Sequence, residues 1–246
     1  MQLDLRRPLH LFAALALAGA GTFCGCVAVD LHHDLDFERT VVLDAGDRAA
    51  GGLTVTIPVG DIEVVATGGP ARLVADVHED APGVARVELV DGRLVLETAG
   101  GDARLGDVRI EIDAVFGDLV LETGVGDVRV EHVDAHGEVR VSVGTGDVVL
   151  RDLGRPSSVI VEGGVGDTRL SALDAGSVDV DRGVGDVDLD DVSTDRAHLS
   201  TGVGDVQVDG CLIDALETST GIGDVGLADS RIRSRRLEIG LGSLRD

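Results

Sequence analysis

The stretch TGVGDVQVDG, residues 201–210, sets two glycines and an aspartate directly before an alternating apolar run. Taken alone, such a loop could cradle a phosphate, hold calcium or turn a corner; its recurrence is what discriminates. GVGD at 124–127, GTGD at 144–147, GVGD at 164–167, 183–186 and 202–205, GIGD at 221–224 and GLGS at 240–243 share one frame. Their fourth positions are spaced 20, 20, 19, 19, 19 and 19 residues apart. A fixed period of this size marks stacked-repeat architectures. A shorter match, LGD, ends at Asp107 one period upstream, and FGD at 116–118 and HGE at 136–138 echo the corner at half the period.

Aligned on the aspartate, each repeat shows what it buries. One residue after it stand Val128, Val148, Thr168, Val187, Val206 and Val225; three after it, Val130, Leu150, Leu170, Leu189, Val208 and Leu227. The position between holds Arg129, Val149, Arg169, Asp188, Gln207 and Gly226. Alternation with a period of two is the signature of a strand with one buried face. Eight residues before the aspartate lie Leu119, Val139, Val159, Val178, Ala197 and Leu216, and six before it Leu121, Val141, Val161, Val180, Leu199 and Thr218, which is a second such strand. A unit of two strands cannot enclose a core, whereas stacked units turn these columns into a continuous interior. The pattern therefore predicts an all-β fold, a parallel β-solenoid of about seven coils, ~30–35 Å long at ~4.8 Å per coil.

Composition agrees. The chain of 246 residues has 35 glycines, no tryptophan or tyrosine and four phenylalanines, so its core must be aliphatic and thinly layered. The opening MQLDLRRPLHLFAALALAGAGTFCGC carries Arg6 and Arg7, an apolar run and then small residues, the order of a bacterial export signal. Cys26 after Gly25 is similar to the lipobox cysteine of bacterial lipoproteins, although Phe23 stands where leucine is usual. Residues 1–26 are thus expected to be a signal ending at a lipid-attachment site, 27–36 a tether, 37–103 an N-terminal β-rich cap continuous with the solenoid, and 104–246 the repeats. Within the cap, VDGRL reads as a hairpin turning on Asp91-Gly92. RIRSRR at 231–236 reads as a solvated terminal cap, and HHDLD at 32–36 as linker. Formal net charge is −24; losing residues 1–25 removes Asp4, Arg6 and Arg7, leaving 44 acidic and 19 basic residues. Such a field repels nucleic acid, so none is expected as a partner.

Every copy of the loop leads into a strand and no P-loop lysine follows, which excludes the phosphate reading. The column Asp107, Asp127, Asp147, Asp167, Asp186, Asp205 and Asp224 is read first as a structural turn ladder, each carboxylate accepting an N–H of its own corner. Calcium is the alternative, since stacked carboxylates repel; yet the calcium-binding repeat has a nine-residue period and a different loop. No cofactor and no metal site are otherwise expected. No H-E-x-x-H, G-x-S-x-G or C-x-x-C occurs, and Phe37 and Phe116 are the aromatics left after the signal, too few for a sugar platform. No catalytic residue is assigned. Cys211 falls in a column with Val133, Leu153, Leu173 and Val192 and reads as buried filler. Thr218 and Thr220 form one T-x-T pair without repeats in adjacent coils, against an ice-binding face.

The repeated TGVGDVxV units and the early VGDIEV at 59–64 resemble the bacterial domain-of-unknown-function 4097 family, an adhesin-like β-strand-repeat family related to the GIN-type autotransporter adhesin head. The resemblance covers residues 40–246 and implies surface exposure without catalytic residues to carry over. The expected protein is an exported, lipid-anchored, non-catalytic solenoid in the cell envelope. It would be held to the membrane by its lipid and contact a protein or cell-wall partner through exposed residues such as Arg129, Arg169, Asp188 and Gln207. A carbohydrate-active enzyme and a calcium-dependent surface module are the alternatives.

Overall fold

A computed structural model describes residues 35–44, 52–69, 71–99, 101–112 and 115–245; residues 1–26, expected to be an export signal ending at Cys26, lie outside them. The described residues contain strands and no helix. The first seven strands are β1 (Phe37–Asp44), β2 (Gly52–Val59), β3 (Ile62–Ala66), β4 (Arg72–Glu79), β5 (Ala85–Val90), β6 (Arg93–Thr98) and β7 (Ala103–Ile112). The repeats supply β8 (Val115–Phe116), β9 (Asp118–Val125), β10 (Val128–Glu131), β11 (Asp134–Ala135), β12 (Glu138–Thr145), β13 (Val148–Arg151) and β14 (Ser158–Val165). There follow β15 (Thr168–Val184), β16 (Val187–Val203), β17 (Val206–Asp209), β18 (Leu212–Ile222), β19 (Val225–Ala228), β20 (Arg231–Leu241) and β21 (Leu244–Arg245).

Repeat pairs with repeat in parallel and in register, as the sequence columns require: Val139 faces Leu119 and Val159, and Val148 faces Val128 and Thr168. The fold is a parallel β-solenoid. One side of each coil is the strand before the G-x-G-D corner, and a second side is the strand after it. The columns at eight and six residues before the aspartate, and at one and three after it, are buried from coil to coil.

A coil has a third side that a two-strand reading does not contain. Five residues after each aspartate the backbone enters the left-handed region, at His132, Asp152, Ala172, Asp191, Gly210 and Asp229, with φ between 44° and 63°. That corner turns inward a further column of Val133, Leu153, Leu173, Val192 and Cys211. The step from a 20- to a 19-residue period is taken here. From Asp152 to Val159 on the next side is seven residues, and from Ala172 to Val178, the register partner of Val159, it is six. With the extra residue gone, β15 and β16 run unbroken for 17 residues each.

The stack does not follow chain order at its N-terminal end. β2 pairs with β9, and β3 lies between β7 and β10, so the coil of residues 52–66 is inserted beneath the first G-V-G-D coil. Asp107 therefore sits one level below Asp61, and Asp61 directly below Asp127. Beyond β7 the pairing turns antiparallel, through β4 to β1. β5 and β6 form the hairpin expected at Asp91-Gly92, whose φ values of 50° and 76° suit a two-residue type I′ turn.

Candidate functional site

The G-x-G-D corners line up into a ridge, and steric constraint explains their composition. At Gly204, φ is 152° and an added Cβ would lie 2.0 Å from the carbonyl oxygen of Gly185, one coil below. At Gly202, which needs no unusual φ, a Cβ would lie 2.5 Å from the oxygen of Gly183. Both glycines are thus required by the approach of neighbouring corners, and the loop is shaped for another copy of itself.

The aspartates form a ladder whose hydrogen bonds run between coils. The main-chain N–H of Asp61 donates to Oδ1 of Asp107, that of Asp127 to Asp61, that of Asp147 to Asp127 and that of Asp167 to Asp147, at 2.8–2.9 Å. Asp186, Asp205 and Asp224 continue it onto Asp167, Asp186 and Asp205 at 2.7–2.9 Å. The sequence expectation that each carboxylate binds its own corner is corrected in this respect. Stacking sets the next coil's N–H within hydrogen-bond distance of each carboxylate. The return bond also runs between coils, with the N–H after each aspartate donating to the next aspartate's carbonyl, as from Val128 to Asp147 at 2.9 Å. One oxygen of each carboxylate is engaged in this way. Among the described residues, no three His, Cys, Asp or Glu side chains converge as a metal would need.

Beside the acids runs an aliphatic column, the second residue of each tetrapeptide. Val125, Val165, Val184, Val203, Ile222 and Leu241 are 44–68% exposed, with Thr145 as the interruption. Side chains that the repeat could have made polar are apolar and in water, at ~4.8 Å intervals.

Four positions before the aspartate, an inward column serves the corner carbonyls. Thr123, Thr201 and Thr220 donate to the oxygens of Gly60, Gly185 and Gly204 at 2.9–3.0 Å. Thr218 and Thr220, weighed as a surface pair in the sequence, both point into the core. In the same column, Gly163 is paired with Arg182. Arg182 is 1% exposed, fills the space above Gly163, and donates to the oxygens of Gly146 (3.1 Å) and Asp167 (2.8 Å). Its Nε and Nη1 have no hydrogen-bond partner. Burial lowers its pKa while Asp147 and Asp167 oppose that shift. Arg182 shares its column with Thr123, Val143, Gly163, Thr201 and Thr220, a mixture too irregular for the sequence to show that the arginine points inward.

The other singled-out residues are dispersed. Arg129, Arg169 and Gln207 are exposed, and Arg169 pairs with Asp188 at 2.8 Å. Cys211 is fully buried, donates to the Asp209 carbonyl (3.1 Å), and has its thiol pKa pushed up by burial. A buried carboxylate the sequence did not single out is Glu79, 1% exposed at the end of β4. It is held by Arg39 of β1 and by the N–H of Gly83. Burial would raise its pKa, yet these donors bring it below the ordinary value.

The model of the Toastrack DUF4097 family matches residues 46–239. No curated protein matches the chain. Among solved structures, a "putative adhesin" from Bacteroides fragilis is similar over 85% of this chain and 96% of its own, at 15% identity and a TM-score of 0.56. A second "putative adhesin", from Parabacteroides distasonis, is similar over 85% and 97%, at 12% identity and a TM-score of 0.53. At these identities the likeness is one of fold.

Proposed function

The chain belongs to the Toastrack DUF4097 family, and from that premise we propose that it is an exported, lipid-anchored, non-catalytic solenoid serving the cell envelope as a scaffold or adhesion module. The observation that carries the reading is the ridge. Six aliphatic side chains in one column stand exposed on a fold whose other apolar columns are buried. Contiguous exposed apolar surface of this kind marks contact with another macromolecule. The names of the two solved neighbours support the same direction. The basic, apolar and small-residue order of residues 1–26, ending at Cys26, supports export and acylation. The partner is a protein or cell-wall component, and the formal charge of −24 disfavours nucleic acid.

Metabolic palmitate labelling with cell fractionation tests the anchor. Wild type should be labelled and membrane-associated, and Cys26→Ala unlabelled and released; an unlabelled, soluble wild type would sink this part. The ridge is tested by Val165→Ser/Val184→Ser/Val203→Ser, which should lower retention on isolated envelopes while leaving the β-sheet circular dichroism unchanged. Unaltered retention removes the ridge as the contact surface.

A further inference from the structure

The carboxylate ladder has a direction, and in the coil of residues 231–245 a serine takes the place of its aspartate. From Asp61 to Asp224 each aspartate of the ladder donates its N–H downward and offers Oδ1 upward to the next coil. At the last corner Ser243 stands in the aspartate's place: its N–H and Oγ both bond Oδ1 of Asp224, at 2.8 and 2.9 Å. A hydroxyl that is already donating downward presents no carboxylate for a further corner. Arg245, two residues on, reaches back to the other oxygen, Oδ2, of the same Asp224 at 2.5 Å.

The same coil breaks the inward columns. Arg235 is the register partner of buried Leu216, so a charge occupies the position that Leu119, Val139, Val159 and Val178 hold below. Leu237 and Ile239 continue the neighbouring columns and are partly buried. Arg233 and Arg236 turn toward Asp214 and Glu217 of the coil beneath, at 3.2 and 3.7 Å. Among the described residues, β20 is paired with β18 on one edge and with no strand on the other. An eleven-residue strand with a free edge over an aliphatic core is a template for another chain. An inward-placed charge is a known means of blunting such an edge.

We propose that Arg235 and Ser243 together form a stack terminator, whose role is to prevent a second copy of this chain from adding to the solenoid through the β20 edge. Arg235 would have to be desolvated beneath any incoming strand, and Ser243 offers a neutral hydroxyl oxygen where every other corner supplies a charged carboxylate. The surface RIRSRR thus acts against self-association as well as being solvated.

The test restores the repeat. Purified full-length wild type, Arg235→Leu, and Arg235→Leu/Ser243→Asp are compared in one mild detergent by sedimentation velocity over a concentration series, with circular dichroism to verify folding. Wild type should keep a constant mass. The double variant should rise with concentration to at least twice the monomer mass, and the single variant should show a smaller rise. The proposal is overturned if the folded double variant stays monomeric, or if wild type associates to the same extent. Should the double variant not fold, Arg235→Leu decides, because it leaves every ladder bond in place: a rise in mass supports the terminator, and a constant mass overturns it.

Discussion

A single methyl group is enough to distinguish the two glycines of a corner from ordinary turn residues. Gly204→Ala would need φ 152° and would place Cβ 2.0 Å from a carbonyl oxygen. It should cost about 3 kcal/mol or more, read by urea denaturation. The aspartate beside it is separable into charge and acceptor. Asp167→Asn keeps an oxygen for the N–H of Asp186 and should leave stability nearly unchanged, whereas Asp167→Ala orphans that N–H and should cost about 1 kcal/mol. At the third corner, Ala172 holds φ 51° without the local hydrogen bonding that lets aspartate or histidine tolerate it. Ala172→Gly should therefore stabilise the fold by several tenths to about 1 kcal/mol, and a higher thermal midpoint would report it. At this scale the residue types were legible in the sequence and their partners were not. A repeated aspartate announces a turn, but which N–H it accepts depends on how closely the coils approach.

Each coil is built from three sides, and the sequence disclosed the two with strong alternation. The third is short and absorbs the change of period, and its second buried column, Ala135, Ala175, Thr194 and Ile213, is of mixed residue types, so periodicity alone has little to detect there. Its corner was nonetheless written in the column His132, Asp152, Ala172, Asp191, Gly210 and Asp229, where aspartate and glycine are the residues that best accept a left-handed backbone. Gly163 and Arg182 show how two coils can share one irregularity. Gly163→Thr puts atoms where the guanidinium lies and should destabilise the protein, while Gly163→Thr/Arg182→Thr restores the carbonyl-binding threonine of Thr201 and Thr220 and should recover most of the loss. A double-mutant cycle should return a coupling of about 1–3 kcal/mol. Additive effects would mean that the two residues do not share the space.

Over the whole molecule, acid is spread along the stack, and Glu79, Glu111 and Asp224 are held below the ordinary carboxylate pKa. Asp224 is lowered by the Ser243 hydroxyl, by the Ser243 N–H and by Arg245; Glu111 is lowered chiefly by its bond to Arg72. Groups depressed in the folded state contribute stability above their unfolded pKa and lose it as pH falls through the folded one. Stability should therefore decline on the acid side of the ordinary carboxylate range. Ser243→Ala, which removes the hydroxyl that does most to lower Asp224, should move the acid limb of a denaturation series to higher pH. An unmoved limb would show that Asp224 contributes nothing to it.

The placement of residues 52–66 beneath the first G-V-G-D coil separates two kinds of history within one chain. Between Asp127 and Asp224 the ladder advances in chain order, so a recombination event that copies or excises one in-frame repeat leaves every column aligned. Removing residues 187–205, for instance, would bring Asp186 under Asp224 and Leu173 under Cys211 in the frame their neighbours already use. At the other end, β3 is clasped between β7 and β10, two strands that follow it in the chain, and no tandem copy of 52–66 could be threaded in without displacing one of them. The upper coils are open to gain and loss by unequal crossing-over, and the lower ones can change only by substitution. Relatives of this chain should accordingly differ in length above the inserted coil and hold their length below it.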